Sequence, residues 1–263
     1  MPHHDPSDAA ATGDLARQVF GQRAAYYVTS ATHTDPRVLA RVVELAAPRP
    51  SDLALDIGTG TGHTALALAP HLSAIWGLDL TPEMLSQAES LRAGRGAANV
   101  AWLLGDVHSL PVAAGSLDIV ACRRAAHHFA DMHGSLAEVR RVLKPGGRLV
   151  IDDRSAPEDP ALDTLLNELD RLHDHSHVRE YPPTQWAALL ERAGFVVDAI
   201  EPYTQHRPIS SLTEDVAPED VARIYALVEG MSPEQAAELH LERQEDTWYF
   251  DHHYLLAAAH VAP

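Results

Sequence analysis

Three aspartates in the first half of the sequence, Asp56, Asp79 and Asp106, each close a short, mainly apolar run. Glycines occupy every second position after the first of them. Glycine tolerates positive φ angles and has no side chain, so a ligand can lie against the backbone of such a segment. A helix that starts there adds free N–H groups and a partial positive charge. Because ionised carboxylates accept hydrogen bonds from hydroxyl and amino groups, these residue types predict a site for a ligand rich in such groups.

An alternation of apolar runs and helical patterns positions these aspartates. Each unit of strand and helix takes about 25 to 30 residues, which is typical of a parallel sheet covered by helices on both faces. The fold class is therefore predicted to be α/β and Rossmann-like, with a mostly parallel sheet. The predicted strands of this part are Leu53–Ile57, Ala74–Asp79, Asn99–Leu104, Leu117–Cys122 and Arg148–Asp152, the last one following a tight turn over Lys144–Gly147.

The carboxyl ends of parallel strands meet at one edge of the sheet, where ligands of such folds bind. Asp79 suits a ribose diol, and Asp106 suits an exocyclic amine, so the two describe an adenosine-shaped site. A dinucleotide site uses G-x-G-x-x-G, whereas this chain has G-x-G-x-G with Asp56 two residues earlier. An acid at that position repels a pyrophosphate and favours an ammonium group. The pattern therefore favours S-adenosylmethionine, which is cationic and has no phosphates.

Four segments strengthen this interpretation, because together they resemble the successive motifs of class I S-adenosylmethionine-dependent methyltransferases. The resemblance extends over Phe20–Phe195 and is strongest to the type 11 domain of the menaquinone- and ubiquinone-biosynthesis branch. It implies a seven-stranded sheet with an antiparallel last strand, and S-adenosylhomocysteine as a product. The segments are LALDIGTGTG, GLDLTPEML, GDVHSLPVAAGSLDIV and RRVLKPGGRLV.

The resemblance also implies roles at matching positions. The methionine moiety is expected among the glycine-turn residues, the ribose on the acid that ends the second strand, and the adenine between two apolar neighbours of the acids. The expected cofactor residues are Asp56, Gly58, Thr59 and Gly60 for the methionine part, Asp79 for the ribose, and Leu80, Asp106 and Val107 for the adenine. The family's acceptor residues vary with the acceptor and do not transfer.

The segment after the fourth strand is where the sulfonium and the methyl acceptor are expected to meet. Methyl transfer is an in-line displacement that depends on positioning, so a dedicated base is optional. A weakly acidic acceptor still needs deprotonation, and histidine is suited to it near neutral pH. His128 is the first candidate and His127 the second; the alternative is that both only pack. Arg123 is assigned to the cofactor side, and Arg124 to the acceptor or to a nearby acid.

Further candidates for acceptor binding lie on either side of this core. Tyr26 and Tyr27 precede the first clear amphipathic helix and could close over the site, and Asp152 ends the fifth strand. The segment RLHDHSH, residues 171–177, places three histidines at spacing two. Its pattern favours a solvated helix end over a metal site, and a loop that contacts the substrate is a further alternative. No metal is predicted.

One domain is predicted over residues 14–263. A disordered tail is expected at 1–13, a helical cap at 14–50, the cofactor-binding core at 51–155, and acceptor-side helices with the last strands at 156–263. The late helices are expected to form a lid inserted before the last strand, because insertions at strand carboxyl ends carry specificity in such folds.

Composition narrows the class of partner. The formal net charge of -17 over 263 residues repels nucleic acid, and the single cysteine, Cys122, allows no intramolecular disulfide. No run approaches the roughly 20 apolar residues of a membrane span, and the first residues lack the pattern of a signal peptide. The sequence predicts a cytoplasmic enzyme that methylates a small molecule, with homodimerisation left open. The alternative is a protein that binds the cofactor but catalyses another reaction or serves as a binding module.

Overall fold

The structure is a computed structural model, and it describes residues 6–263. The first five residues of the predicted tail lie outside this range. From Pro6 onward the backbone is helical, so helix α1, Pro6–Tyr27, begins well before the predicted start at Asp14. The difference from the predicted disorder has a local cause: a proline suits the first helical turn, and the run of alanines that follows has high helix propensity.

Two further helices precede the sheet. Helix α2 covers Ala31–Thr34, and helix α3 covers Pro36–Ala46. The Asp35 carboxylate accepts a hydrogen bond from the Arg37 amide at 2.9 Å and so caps α3. These elements form the N-terminal part that the sequence predicts as a helical cap.

The central strands agree closely with the predicted ones. Strands β1, β2, β3 and β4 are all parallel; helices connect β1 to β2 and β2 to β3, whereas β3 and β4 are joined by a loop with a short 3-10 turn. In chain order the elements are β1 (Leu53–Ile57), α4 (His63–Leu68), β2 (Ala74–Asp79), α5 (Pro82–Arg95), β3 (Val100–Leu104), β4 (Leu117–Arg123) and α6 (Met132–Val142).

Strand β5, Leu143–Arg154, begins earlier than predicted. Leu143 pairs with Leu117 and Arg148 pairs with Ile119, so residues 144–147 form a bulge opposite one residue of β4. The predicted tight turn at these residues is therefore an irregularity within the strand. Its Gly146 has a φ of 72°, a value that glycine adopts without strain.

The last part of the chain completes the sheet. Strands β6 and β8 pair antiparallel along almost their whole length, and the order across the sheet is β3-β2-β1-β4-β5-β8-β6. Strand β8 is also antiparallel to β5, and the short β7 pairs with β8, which makes eight strands rather than seven. The elements are α7 (Pro160–His173), α8 (Pro183–Arg192), β6 (Phe195–Pro208), α9 (Ser210–Thr213), α10 (Pro218–Glu229), α11 (Pro233–Glu238), β7 (Glu242–Gln244) and β8 (Thr247–Val261).

Apolar side chains fill both faces of the sheet, as expected for strands buried on two sides. One face packs against α3 and α4, and the other against α6 and α8. A third cluster lies where β8 continues beyond the end of β5; there Phe250 packs with residues of α7, α9 and α10. Among residues 6–263, no helix has both the length and the apolar character needed to cross a bilayer.

Candidate active site

The turn after β1 is held from behind by Asp56. One oxygen of its carboxylate accepts hydrogen bonds from the Thr59 hydroxyl at 2.6 Å and from the Ala65 amide at 3.1 Å. Gly58, Gly60 and the glycine after them all have positive φ, which makes glycine necessary at these positions. A Cβ on Gly58 would lie 2.4 Å from the Cβ of Ala125, so the turn packs tightly against the segment after β4.

Asp56 lies behind the turn rather than on its ligand face. Its side chain is buried, and its second oxygen has no hydrogen-bond partner among the described residues. Burial raises the pKa of this carboxyl to about 7. The placement favours a bracing role for Asp56 over the direct contact with the methionine moiety that the resemblance implies.

Asp79 is fixed at the end of β2 by the backbone of its neighbours. One carboxylate oxygen accepts from the Gly60 amide at 2.8 Å, and the other accepts from the Thr81 amide at 2.9 Å. A carboxylate offers about four lone-pair sites, so two remain for a ligand. Although burial raises the pKa of this group, the hydrogen bonds from the backbone act in the opposite direction.

Asp106 is held by His108, two residues further along the chain. Its Oδ1 accepts from the His108 amide at 2.9 Å and lies 2.7 Å from His108 Nδ1. The imidazole Nε2 accepts from the Asp131 amide at 3.2 Å, so Nδ1 carries a hydrogen in this arrangement. The hydrogen bond from His108 lowers the pKa of Asp106 and leaves its second oxygen for a ligand.

A cavity of about 1040 Å³, here called the first cavity, opens between these groups. Helix α1 covers it from one side, through Gly13, Ala16 and Phe20. Of the nine residues predicted to contact the cofactor, all except Asp56 line it: Gly58, Thr59, Gly60, Asp79, Leu80, Asp106, Val107 and Arg123. Carboxylates at two strand ends beside apolar walls fit a nucleoside with a ribose diol and an amino group.

Arg123 connects the end of β4 to the N-terminal part. Its Nε donates to the Thr64 hydroxyl at 2.9 Å, and its Nη atoms donate to the carbonyl oxygens of Thr32 and His33. Burial lowers the pKa of this guanidinium. The side chain therefore fixes helix α2 against the cavity, in addition to lining it.

Arg124 is fixed by an acid and two tyrosines. Its backbone has a φ of 55°, and Nη2 donates to the Tyr203 hydroxyl at 2.8 Å. The Tyr203 hydroxyl in turn donates to Asp152 at 2.7 Å, and the Asp152 carboxylate lies 3.3 Å from Arg124 Nε. The guanidinium also stacks 3.7 Å above the Tyr254 ring. Asp152 is fully buried and lines neither cavity, so it positions Arg124 instead of facing a ligand as expected.

A second cavity of about 890 Å³ adjoins the first. Tyr26 and Tyr27, the two tyrosines predicted to close over the site, line it. Charged and polar groups dominate its walls, unlike those of the first cavity. Five residues line both cavities and define their junction: Phe20, Tyr27, His33, Arg124 and His128.

The two candidate histidines have different positions. His128 lies at the junction, with its ring edge-on to Phe20 at a centroid distance of 4.8 Å. His127 lines only the second cavity; its Nδ1 is 2.5 Å from Asp153 Oδ1, and burial keeps its pKa well below the usual range. His128 is therefore the imidazole nearer to a reaction between the two cavities.

Several cavity residues were not found from the sequence. Arg154 and Asp170 form an ion pair at 2.7 Å beside the second cavity, and the histidines of RLHDHSH separate. His173 and His177 line this cavity, whereas His175 pairs with Asp220 at 2.9 Å. Within the described part of the chain, no group of three or more metal-ligating side chains could hold a metal ion. The local pattern of a helix end carries no signal for a contact with a distant strand.

Comparisons with known proteins identify the family of this chain. A family model described as a methyltransferase domain matches residues 55–151. The uncharacterized methyltransferase YcgJ of Bacillus subtilis is 42% identical over 171 residues, which are 65% of this chain and 68% of YcgJ. The crystal structure of YcgJ aligns with a TM-score of 0.82 and 32% identity, covering 86% of this chain and 99% of that one. The demethylmenaquinone methyltransferase of Thermus thermophilus is 39% identical over 120 residues, 44% of this chain and 54% of that protein.

The fold and the similar proteins thus define an enzyme of the Rossmann-like methyltransferase type. The chain belongs to the class I S-adenosylmethionine-dependent methyltransferases.

Proposed function

We propose that this methyltransferase transfers the methyl group of S-adenosylmethionine to a small polar molecule bound in the second cavity. The junction of the two cavities supports this most directly, because it brings a candidate acceptor site next to the nucleoside site. Both cavities are enclosed on one side by α1, and such concave sites suit small ligands. When bound, S-adenosylmethionine supplies an electrophilic methyl group on a positively charged sulfur.

The first cavity holds the cofactor in this proposal. Asp79 accepts from the ribose hydroxyls with its two free lone-pair sites, and Asp106 accepts from the adenine amine. Leu80 and Val107 cover the faces of the base. Asp56 keeps the glycine turn in shape, so the backbone of Gly60 can approach the ligand.

The second cavity fits an acceptor with an anionic group. Four arginines line it together with four carboxylates. Two of the arginines, Arg23 and Arg207, form no ion pair with a carboxylate among the side chains that the structure describes. Arg23 donates to the carbonyl oxygen of Asp215 at 2.7 Å, and Arg207 donates to the Tyr254 hydroxyl at 3.3 Å. Guanidinium groups bind carboxylates and phosphates in a forked geometry, so this pair suits such a group on the acceptor.

At the junction, His128 is the proposed base. It takes a proton from the acceptor, while Arg124 supplies a fixed positive charge beside it. Phe20 and Tyr27 exclude water from the same place, and water exclusion strengthens these electrostatic contacts. Most of the rate gain is expected from positioning the acceptor in line with the methyl group.

The test uses cofactor labelled in its methyl group and a bacterial metabolite extract. We expect label in the fraction that passes an ultrafiltration membrane, together with S-adenosylhomocysteine detected by mass spectrometry. The matched control is the Asp79→Asn variant, for which both signals should fall by roughly 10- to 100-fold when the cofactor is below saturation. Label retained only on protein or RNA would contradict a small acceptor. Cofactor binding without any S-adenosylhomocysteine would favour the binding-module alternative.

A further inference from the structure

We infer that Asp174 and Ser176 form a hydrogen-bond relay to His128 and thereby make its Nε2 the proton acceptor at the junction of the two cavities. The inference rests on the proposed function and specifies its acceptor: a nucleophile that must lose a proton, namely a hydroxyl group or an acidic C–H. The two relay residues belong to the RLHDHSH segment, just after α7.

The hydrogen bonds fix which nitrogen of His128 carries the hydrogen. Nδ1 lies 3.1 Å from the carbonyl oxygen of Ser176 and 3.1 Å from its hydroxyl oxygen. A carbonyl oxygen can only accept, so Nδ1 must donate and is protonated. In the neutral ring the lone pair is then on Nε2.

The serine hydroxyl connects the imidazole to a carboxylate. It donates to Asp174 Oδ1 at 2.6 Å, and the Ser176 amide donates to the same oxygen at 2.8 Å. The Ser176 hydroxyl oxygen thus accepts from His128 while its hydrogen points to Asp174. Such an arrangement orients the base and stabilises the imidazolium that forms, as a carboxylate does behind other catalytic histidines.

The groups around the relay keep its carboxylate, Asp174, ionised. Ser176 and Asp174 are buried, and although burial raises the pKa of Asp174, the charge of His128 and the Ser176 hydrogen bonds lower it to about 2. The other titratable groups near His128 are His127, His177, Asp153 and Tyr27. Burial lowers the pKa of both His127 and His177, so neither adds a competing positive charge at neutral pH.

The proton and electron count of the step closes without another reagent. His128 Nε2 takes the proton of the acceptor's O–H or C–H, and the freed electron pair forms the bond to the methyl carbon. The electrons of the broken C–S bond stay on sulfur, which becomes a neutral thioether. The imidazolium then returns its proton to solvent. An amine with a free lone pair needs no such base, so the relay favours an oxygen or carbon acceptor.

The first test detects the hydrogen bonds of His128 directly and needs no methyl acceptor. The imidazole nitrogens of the intact protein are labelled with ¹⁵N and observed by NMR, with His128→Gln used for assignment. We expect a protonated Nδ1 in the neutral ring, and a changed Nδ1 chemical shift in Ser176→Ala and Asp174→Asn, because these variants remove or weaken its hydrogen bond to the hydroxyl. Ser176→Thr keeps the hydroxyl and should give the wild-type ¹⁵N signal of His128. Ser135→Ala is the control, since Ser135 is equally buried and donates to a backbone carbonyl outside both cavities.

The second test follows the pH dependence of S-adenosylhomocysteine formation with an acceptor identified from the extract. Ser176→Ala should lower the rate about tenfold or more and shift the acidic limb of the pH–rate profile. Ser176→Thr should keep the wild-type rate and profile. A wild-type protein with unprotonated Nδ1, or an unshifted profile in Ser176→Ala, overturns the relay. If the relay signature is present but no small molecule is methylated, the proposed function fails and the relay stands.

Discussion

Among single residues, Asp79 shows how one carboxylate can serve the fold and the ligand together. Its oxygens each accept one backbone amide, from Gly60 and from Thr81, which holds the carboxylate at the end of β2 with its remaining lone pairs toward the first cavity. Replacing a carboxylate by an amide removes the charge and half of the acceptor sites but keeps the shape.

We therefore predict that Asp79→Asn weakens cofactor binding by roughly 10- to 100-fold, since a hydrogen bond to a charged group contributes about 1.5–3 kcal/mol. Isothermal calorimetry with S-adenosylmethionine measures this directly. The matched control is Asp198→Asn, in an exposed carboxylate on β6 that lines neither cavity. Unchanged affinity in Asp79→Asn, or an equal loss in both variants, would rule out a ribose contact.

Asp56 predicts a pH dependence of stability with a definite sign. Burial raises its pKa from 3.8 to about 7, so its ionisation opposes folding. A raised carboxyl pKa contributes stability at low pH, and this contribution is lost as the pH rises toward 7. In Asp56→Asn, the amide oxygen can keep the hydrogen bonds from Thr59 and Ala65, and no charge is buried at high pH.

The free energy of unfolding of Asp56→Asn, relative to the wild type, should therefore increase between about pH 5 and about pH 8, by about 3 kcal/mol at most. Urea unfolding of the cofactor-free protein at both pH values measures this difference. The control is Asp246→Asn, because Asp246 is exposed and the cation beside it, Arg243, stays charged over this interval. This variant should show little change. A constant difference between wild type and Asp56→Asn would show that this carboxyl is ionised throughout.

Among the secondary-structure elements, those that depend on a local sequence pattern agree best with the predictions. Those that depend on contacts between distant residues agree less well. Strands β1 and β2 were predicted residue for residue, because burial on both sheet faces imposes an apolar run and the ligand edge imposes an acid at its end. Strand β6, by contrast, extends to Pro208, because its second half pairs with the part of β8 that continues beyond the end of β5. That pairing depends on residues more than 40 positions away and leaves little local pattern.

The candidate site divides in the same way. The residues of the cofactor side lie at the ends of consecutive strands. Residues at regular intervals along the chain therefore become neighbours at one edge of the sheet. The acceptor side is assembled from α1, the segment after β4, the segment after α7, and β6. The RLHDHSH segment illustrates the limit: its histidine spacing was visible, but the contact of Ser176 with His128 arises from how α7 packs.

Two glycines with similar backbones separate the effect of the glycine turn on binding from its effect on folding. Gly60 and Gly115 have φ values of 52° and 60°, and a Cβ on either would meet no atom within 4 Å. Alanine at either position should therefore lower the free energy of unfolding by a similar amount, about 1–2 kcal/mol, because a residue with a Cβ is strained in the left-handed conformation. Only at Gly60 does the added methyl group enter the first cavity.

We predict that Gly60→Ala weakens S-adenosylmethionine binding at least tenfold, while Gly115→Ala binds like the wild type. Calorimetry gives the affinities, and thermal unfolding checks that the two variants lose comparable stability. Equal binding in the two variants would mean that the cofactor does not approach the turn backbone.

For the molecule as a whole, the net charge of -17 attracts a cationic cofactor. The second cavity itself is balanced in charge, because four arginines and four carboxylates line it. The N-terminal helices lie over both sites: α1 lines both cavities, and Arg123 connects α2 to the end of β4.

This arrangement predicts that cofactor binding stabilises the N-terminal part selectively. Backbone amides of residues 13–34 should exchange more slowly with deuterium when S-adenosylhomocysteine is bound, because the ligand adds contacts to Phe20 and Tyr27 and so reduces local opening. Helices α10 and α11 line neither cavity, and their exchange should not change. Mass spectrometry of peptides after exchange measures both regions in one sample.

The variant Arg123→Lys tests the physical cause of this coupling. Lysine keeps the charge but cannot reach Thr64, Thr32 and His33 at once, as the guanidinium does. Residues 30–34 should then exchange faster than in the wild type even without ligand, and binding should slow them less. Uniform protection of α10, α11 and the N-terminal part would instead indicate a global gain in stability. In that case α1 would not act as the cover of the two cavities.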